Sequence, residues 1–219
     1  MVAFIDSTRT KKFNLGTYDT MVAKTCEHVA FTNDGKCILA STNTTVEMYN
    51  STSKNSIASV PVAGHVAGFQ SYQDHLYVAI ELIERGDRVI VYDQQYAQVR
   101  HWLTEVKVCD LAVNNEKVYL ASTESKIHVF STSGTVLYEI SDGGGTRIAS
   151  HPMPDILIVT NHQDDKVYGL NGDTKEVLWS SSVDKPWGVS IDEYETVWVW
   201  SEFQQGIAIF DDKGKDVLR

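Results

Sequence analysis

One alternation of apolar and polar positions returns six times along the chain. The copies are "VAFIDSTRTKKFNL" from Val2, "VEMYNSTSKNSIASV" from Val46, "VIVYDQQYAQVRHWL" from Val89, "IHVFSTSGTVLYEI" from Ile127, "VYGLNGDTKEVLW" from Val167 and "IAIFDDKGKDVL" from Ile207. Each reads as a short alternating strand, a polar turn rich in Asp, Asn, Ser and Gly, and a second short strand. Successive copies start between 38 and 44 residues apart. Between them lies a second recurring unit: "HVAFTNDGKCILAST", "VAGFQSYQDHLYVAI", "DLAVNNEKVYLAST", "RIASHPMPDILIVT" and "GVSIDEYETVWVWS". This unit predicts a short strand, a turn and a nearly continuous apolar strand, the mark of a strand packed on both faces. A period near 40 with four short strands per repeat predicts the blade of a β-propeller, because solenoids of similar period are helical and no long 3.6-residue pattern occurs here.

The predicted fold class is all-β: a propeller of four-stranded blades, with five full blades plus an N-terminal half blade. The boundaries are 1–25 for the half blade and 26–63, 64–106, 107–144, 145–184 and 185–219 for the full blades, in one domain over 1–219. Six outer pairs against five inner pairs leave an inner pair missing from a six-bladed ring. Two readings stand: a piece of a longer protein, or a five-bladed ring with an added hairpin. In the first case unpaired blade edges would favour self-association by strand addition. Two columns follow from aligning the repeats. Ala40, Ala79, Ala121 and Val159 share a position with Trp200, so the last blade should face a different space. A small-residue column, Ala30, Gly68, Ala112, Ala149 and Ser190, should lie where blades converge on the axis.

Charge and composition narrow the function classes. The net charge of −10 works against binding a phosphate backbone. No apolar run approaches the ~18 residues that span a membrane as a helix. The three cysteines, Cys26, Cys37 and Cys109, have no metal-like spacing. Cys37 opens an apolar strand and reads as a small buried hydrophobe. Unpaired thiols favour a cytoplasmic setting; the sequons at Asn43 and Asn50 point to an extracellular one.

Three stretches carry a family resemblance. "PWGVSIDEYETVWVWSEFQQGIAIFDDKGKDVL" (186–218) resembles an NHL repeat, with Pro-x-Gly-Val, an Asp, and a strand ending in Phe-Asp-x-x-Gly. "VAFTNDGKCILASTNTTVEMYNSTS" (29–53) is similar to a WD40 blade, and "KVYGLNGDTKEVLW" to the outer strands of a quinoprotein-type blade. Of these, the resemblance to the C-terminal propeller of tripartite-motif NHL proteins is the most detailed. It implies a module that recruits proteins or RNA; the acidic balance argues against RNA.

In propellers, loops on one face surround the mouth of the central channel. That geometry places Trp187, Arg147 and Phe203 there as anchors, with His28, His65 and Asp110 as a polar rim. Arg147 and Asp110 could instead pair across the channel, and Trp187 could fill space between blades. His28, His65 and Asp110 are also candidate metal ligands, a weak set beside the cation of Arg147. "HQDD" (162–165) offers carboxylates for calcium, and "RGD" (85–87) matches an integrin tripeptide. The expected function is a non-catalytic scaffold that binds a protein or peptide at the mouth, with no cofactor. The alternatives are a metal-dependent lactonase or amidating-lyase type enzyme and an RNA-binding NHL propeller.

Overall fold

The computed structural model describes residues 28–31, 37–42, 44–53, 55–82, 86–141, 145–192 and 194–217, none of them helical. The 1–25 half blade and Asn43 lie outside the described residues. Five antiparallel sheets follow one another along the chain. The first holds β1 (His28–Phe31), β2 (Cys37–Thr42), β3 (Thr45–Asn50) and β4 (Ser56–Pro61). The second holds β5 (His65–Tyr72), β6 (His75–Glu81), β7 (Arg88–Tyr92) and β8 (Gln98–Leu103). The third holds β9 (Val108–Asn114), β10 (Lys117–Ser122), β11 (Ile127–Ser131) and β12 (Val136–Ile140). The fourth holds β13 (Arg147–Ser150), β14 (Ile156–Asn161), β15 (Lys166–Asn171) and β16 (Val177–Ser182). The fifth holds β17 (Pro186–Ile191), β18 (Val197–Ser201) and β19 (Gly206–Phe210). Within each sheet the strands lie in chain order.

This is a β-propeller, and it corrects the expected count. Four sheets have four strands and the fifth has three. Among the described residues after β19, the turn at Asp211–Gly214 brings back a single bridge, Phe210 with Asp216, supported by the Val217 N–H bonded to the Ile209 carbonyl.

Strand alternation explains the cores. In β6, Leu76, Val78 and Ile80 pack toward the first sheet, while Tyr77 and Ala79 pack toward the third. In β10, Val118 and Leu120 face the second sheet, and Tyr119 and Ala121 the fourth. Four apolar clusters thus fill the four spaces between consecutive sheets. A central strand buried on both faces must be apolar at every position, which is why the second unit of each repeat reads as an unbroken run.

The fourth strands carry a shared irregularity. Each of β4, β8, β12 and β16 bulges one residue out of register, at Ile57, Val99, Leu137 and Leu178 respectively. All four residues are exposed. A bulge on an outer strand twists the edge and disrupts a template for further pairing.

Pairing registers also correct the two columns. The residues of the second strands that pair with Val46, Val89, Ile127, Val167 and Ile207, where the first repeat unit begins, are Ser41, Ala79, Ala121, Thr160 and Trp200. Ala40 and Val159 are each one residue off that row. The first four are fully buried; Trp200 is half-buried. Likewise the small column runs Ala30, Gln70, Ala112, Ala149 and Ser190. Gln70, two residues beyond the expected Gly68, holds this place in β5, and Gly68 falls level with Asp110 instead. The Gln70 amide uses the space that small neighbours leave. Its Nε2 donates to the Val113 carbonyl at 3.1 Å and the Ser150 hydroxyl at 2.8 Å, and its Oε1 accepts from the Val113 N–H at 2.8 Å. One side chain thereby ties three inner strands together.

Candidate functional site at the channel mouth

The row paired with Ser41, Ala79, Ala121, Thr160 and Trp200 consists of His28, Gly68, Asp110, Arg147 and Gly188. Three of the residues expected at the mouth, His28 and Asp110 of the rim and the anchor Arg147, therefore sit at one level of the inner strands. Each side chain of this row leans toward the next sheet. A Cβ at Gly68 would overlap Asp110 Oδ1, so the missing side chain leaves room for that carboxylate. Asp110 Oδ2 accepts the Ile148 N–H of the next sheet at 3.1 Å, and its Oδ1 accepts the Leu111 N–H at 2.8 Å. Arg147 reaches in turn toward the fifth sheet, its guanidinium 5.0 Å from the Trp187 ring centroid. At the start of the row, the His28 ring meets Phe69 edge-on at 6.3 Å.

Bulges at the mouth end of the inner strands shape this site. An extra residue is inserted at Ala67, at Cys109 and at Trp187, each beside the row just described. A bulge re-aims the side chain it carries. At position 187 it turns an indole out of the sheet, leaving it 47% exposed. Arg147 and His162 of the fourth sheet lie against this ring, so Trp187 partly fills the space between the fourth and fifth sheets and partly stands open. Phe203, in the β18–β19 turn, is 73% exposed. Pro186 pairs with Ser201, so both aromatic residues leave the same end of the fifth sheet. His162 approaches the Trp187 ring edge-on at 5.6 Å, and the Thr160 hydroxyl bonds the Trp187 carbonyl at 3.5 Å.

The charges of the mouth are arranged differently from the expected Arg147–Asp110 pair. Arg147 Nη1 donates to two carbonyls, Cys109 at 3.0 Å and Thr146 at 2.9 Å. Asp110 is committed to amides. Asp110 as a whole residue is half-buried. Burial pushes its pKa up to about 6, against the opposing pull of Arg147 and the two N–H groups. Burial pushes His28 down to about 4, assisted by the fields of Arg147 and His65. At neutral pH the His28 ring is thus uncharged.

The other candidates separate. His65 stands at the start of β5, three residues before the row, 4.0 Å from Glu81. His28, His65 and Asp110 do not converge: among the described residues no three His, Cys, Asp or Glu side chains gather to hold a metal. The carboxylates of "HQDD" face their own neighbours, Asp164 bonding Asn161 and Tyr168, and Asp165 bonding Lys185. The Asp of "RGD" is buried; Asp87 accepts the Leu82 N–H at 3.1 Å and the Val108 N–H at 2.7 Å, a clip between sheets. Residues missed from the sequence are Gln70, His162 as a partner of Trp187, and the bulge at Cys109. A polar residue breaking the apolar β5 was the visible signal for Gln70; a bulge leaves none in a single sequence.

No family model matches the sequence, and no curated protein is similar to it by sequence. Solved structures are similar in fold. A chain of the crystal structure of the mitotic checkpoint complex superposes with a TM-score of 0.67 at 13% identity, covering 85% of this chain and 60% of that one. The Cps50 (Swd1) β-propeller domain of Myceliophteria thermophila gives 0.67 at 14%, covering 85% and 65%. A protein of unknown function from Bacteroides caccae gives 0.68 at 14%, covering 88% and 80%. The chain thus spans less than two thirds of the first two neighbours, and at these identities the likeness is one of fold: the β-propeller.

Proposed function

We propose that this propeller is a non-catalytic scaffold that binds a protein or peptide at the channel mouth, with Trp187, Arg147 and Phe203 as anchors. The observation that carries this reading is the bulge at Trp187, which holds a large indole outward against a guanidinium on a rigid sheet end. Trp and Arg are the residue types that dominate binding interfaces, and loops on a rigid scaffold are where such function concentrates. The fold neighbours agree with it in kind, since one is a chain of a checkpoint complex. Within the propellers we assign the chain to the NHL type. The Phe210-Asp211-x-x-Gly214 turn supports this: Asp211 Oδ1 accepts the Lys213 and Lys215 N–H groups, and Gly214 takes φ +72°.

The test is recovery of partners from source cells with the wild type, Trp187→Ala, Phe203→Ala and a control at the opposite end, Lys213→Ala. Truncating a buried anchor costs ~2 kcal/mol or more, roughly thirtyfold in affinity. Partners should be lost with the first two variants and kept with the control. Equal recovery by all four proteins would place the site elsewhere.

A further inference from the structure

The cations at the mouth end of the sheets are not treated alike. Lys107, Lys126 and Lys185 each hold a carboxylate, with Glu81 at 2.7 Å, Glu139 at 3.3 Å and Asp165 at 3.3 Å. Arg147 has no carboxylate within ion-pairing distance among the described residues. Its hydrogen bonds run from one nitrogen, Nη1, to two carbonyls. Those bonds and the Trp187 ring orient the guanidinium without neutralising it. Nε and the second terminal nitrogen make no hydrogen bond among the described residues. A planar fork held in place with donors in reserve is the arrangement that receives a carboxylate or phosphate through two parallel bonds. Beside it stand two exposed aromatic rings, Trp187 and Phe203.

We propose that the mouth takes a peptide bearing an anionic group next to an apolar side chain, Arg147 receiving the anion and the Trp187 and Phe203 end of the fifth sheet receiving the apolar group. This inference rests on the mouth being the binding face. It adds the chemistry of the partner, which that reading leaves open. The chain's net charge of −10 makes the choice informative, because an anionic segment would be repelled over most of the surface and drawn to this point. Asp110 does not block the site. Its two oxygens are occupied by the Leu111 and Ile148 N–H groups.

The experiment uses immobilised pools of blocked hexapeptides with randomised apolar residues and one fixed central residue: Glu, phosphoserine, Gln or Lys. A fifth pool carries Gln and a free C-terminal carboxylate. Retention of the wild type on at least one anionic pool should exceed that on the Gln pool by roughly tenfold, the scale of one charge-assisted hydrogen bond. Which anionic pool leads identifies the source of the anion. Arg147→Gln should abolish the difference, and Arg147→Lys, which keeps the charge but loses the fork, should reduce it. The folded wild type supplies an independent readout. Arg147 helps to hold His28 low, so its neutralisation by the best anionic peptide should move the His28 titration upward, and the Gln counterpart should not. Equal retention on Gln and anionic pools, or a preference that survives in Arg147→Gln, overturns the inference. If wild type and Trp187→Ala bind every pool equally, the mouth reading itself fails. Binding that needs Trp187 but ignores the anion removes only the present proposal.

Discussion

Asp110 and His28 show how much a residue's setting in the inner row governs its chemistry. They titrate abnormally in opposite senses. Asp110 has a folded pKa near 6 against 3.8 when unfolded, so its protonated form is favoured by folding. The stability tied to that proton is present in full below about pH 3.8 and is lost as pH rises through about 6. His28, at about 4 against 6.5, contributes stability that is present above about pH 6.5 and lost as pH falls through about 4. The two linkages oppose each other across the same window. Asp110→Asn, which keeps the shape and an acceptor for one N–H, should expose the difference. Between about pH 7 and about pH 4.5 the wild type should gain about 2 kcal/mol relative to the variant, by the conversion of ~1.4 kcal/mol per pH unit. Urea unfolding of both proteins at the two pH values measures it. A constant gap would mean that Asp110 titrates normally. Sequence placed His28, Asp110 and Arg147 at the mouth because loop position follows from blade topology. Their partners were not legible there, since a hydrogen bond from Ile148 N–H to Asp110 depends on how neighbouring sheets pack, and bulges at Ala67, Cys109 and Trp187 each shift the pairing inside a sheet by one.

At the scale of the element, four of the six expected outer hairpins stand among the described residues, and the sequence shows none of their bulges. Ile57, Val99, Leu137 and Leu178 sit in stretches such as "SIASV" and "VLYEI" that look like ordinary alternation. The extra residue becomes visible only when partners on the third strand are counted. Contacts between consecutive outer hairpins are also a matter of close fit. Trp179 of β16 reaches the fifth sheet, where its Nε1 donates to the Asp212 carbonyl at 2.9 Å and Ser181 Oγ bonds the Gly214 carbonyl at 2.6 Å. Gly214 has φ +72°, and a Cβ there would overlap the Trp179 ring. Gly86 has φ +75° but open space around it. Gly86→Ala should therefore cost only the backbone strain, about 1 kcal/mol, while Gly214→Ala adds overpacking and should cost about 2–4 kcal/mol. Equal losses in thermal unfolding would show that the outer hairpins of the fourth and fifth sheets do not meet as described.

Across the whole molecule, the period near 40 conveyed the propeller because each sheet must bury both faces against its neighbours, and that demand repeats with the sheet. The fifth sheet departs from the pattern. Val197 and Val199 of β18 pack toward the fourth sheet, and the alternation sends Trp198 and Trp200 to the opposite face, where the other sheets place Ser41, Ala79, Ala121 and Thr160. The unlike residue at position 200 was legible in the sequence, although its row was drawn one residue off in two sheets. The mouth site gathers residues from three or more sheets, which is why it stands or falls with the propeller geometry. The most direct test places a photoreactive residue at Gln163 or Gln204, both exposed at the mouth end, and at Gln95 or Lys213, exposed at the opposite end. In source cells the first two positions should crosslink to a common partner, and Trp187→Ala in the same chain should abolish those adducts. Crosslinks concentrated at 95 and 213, or adducts at 163 and 204 that persist without Trp187, would contradict the assignment of binding to the channel mouth.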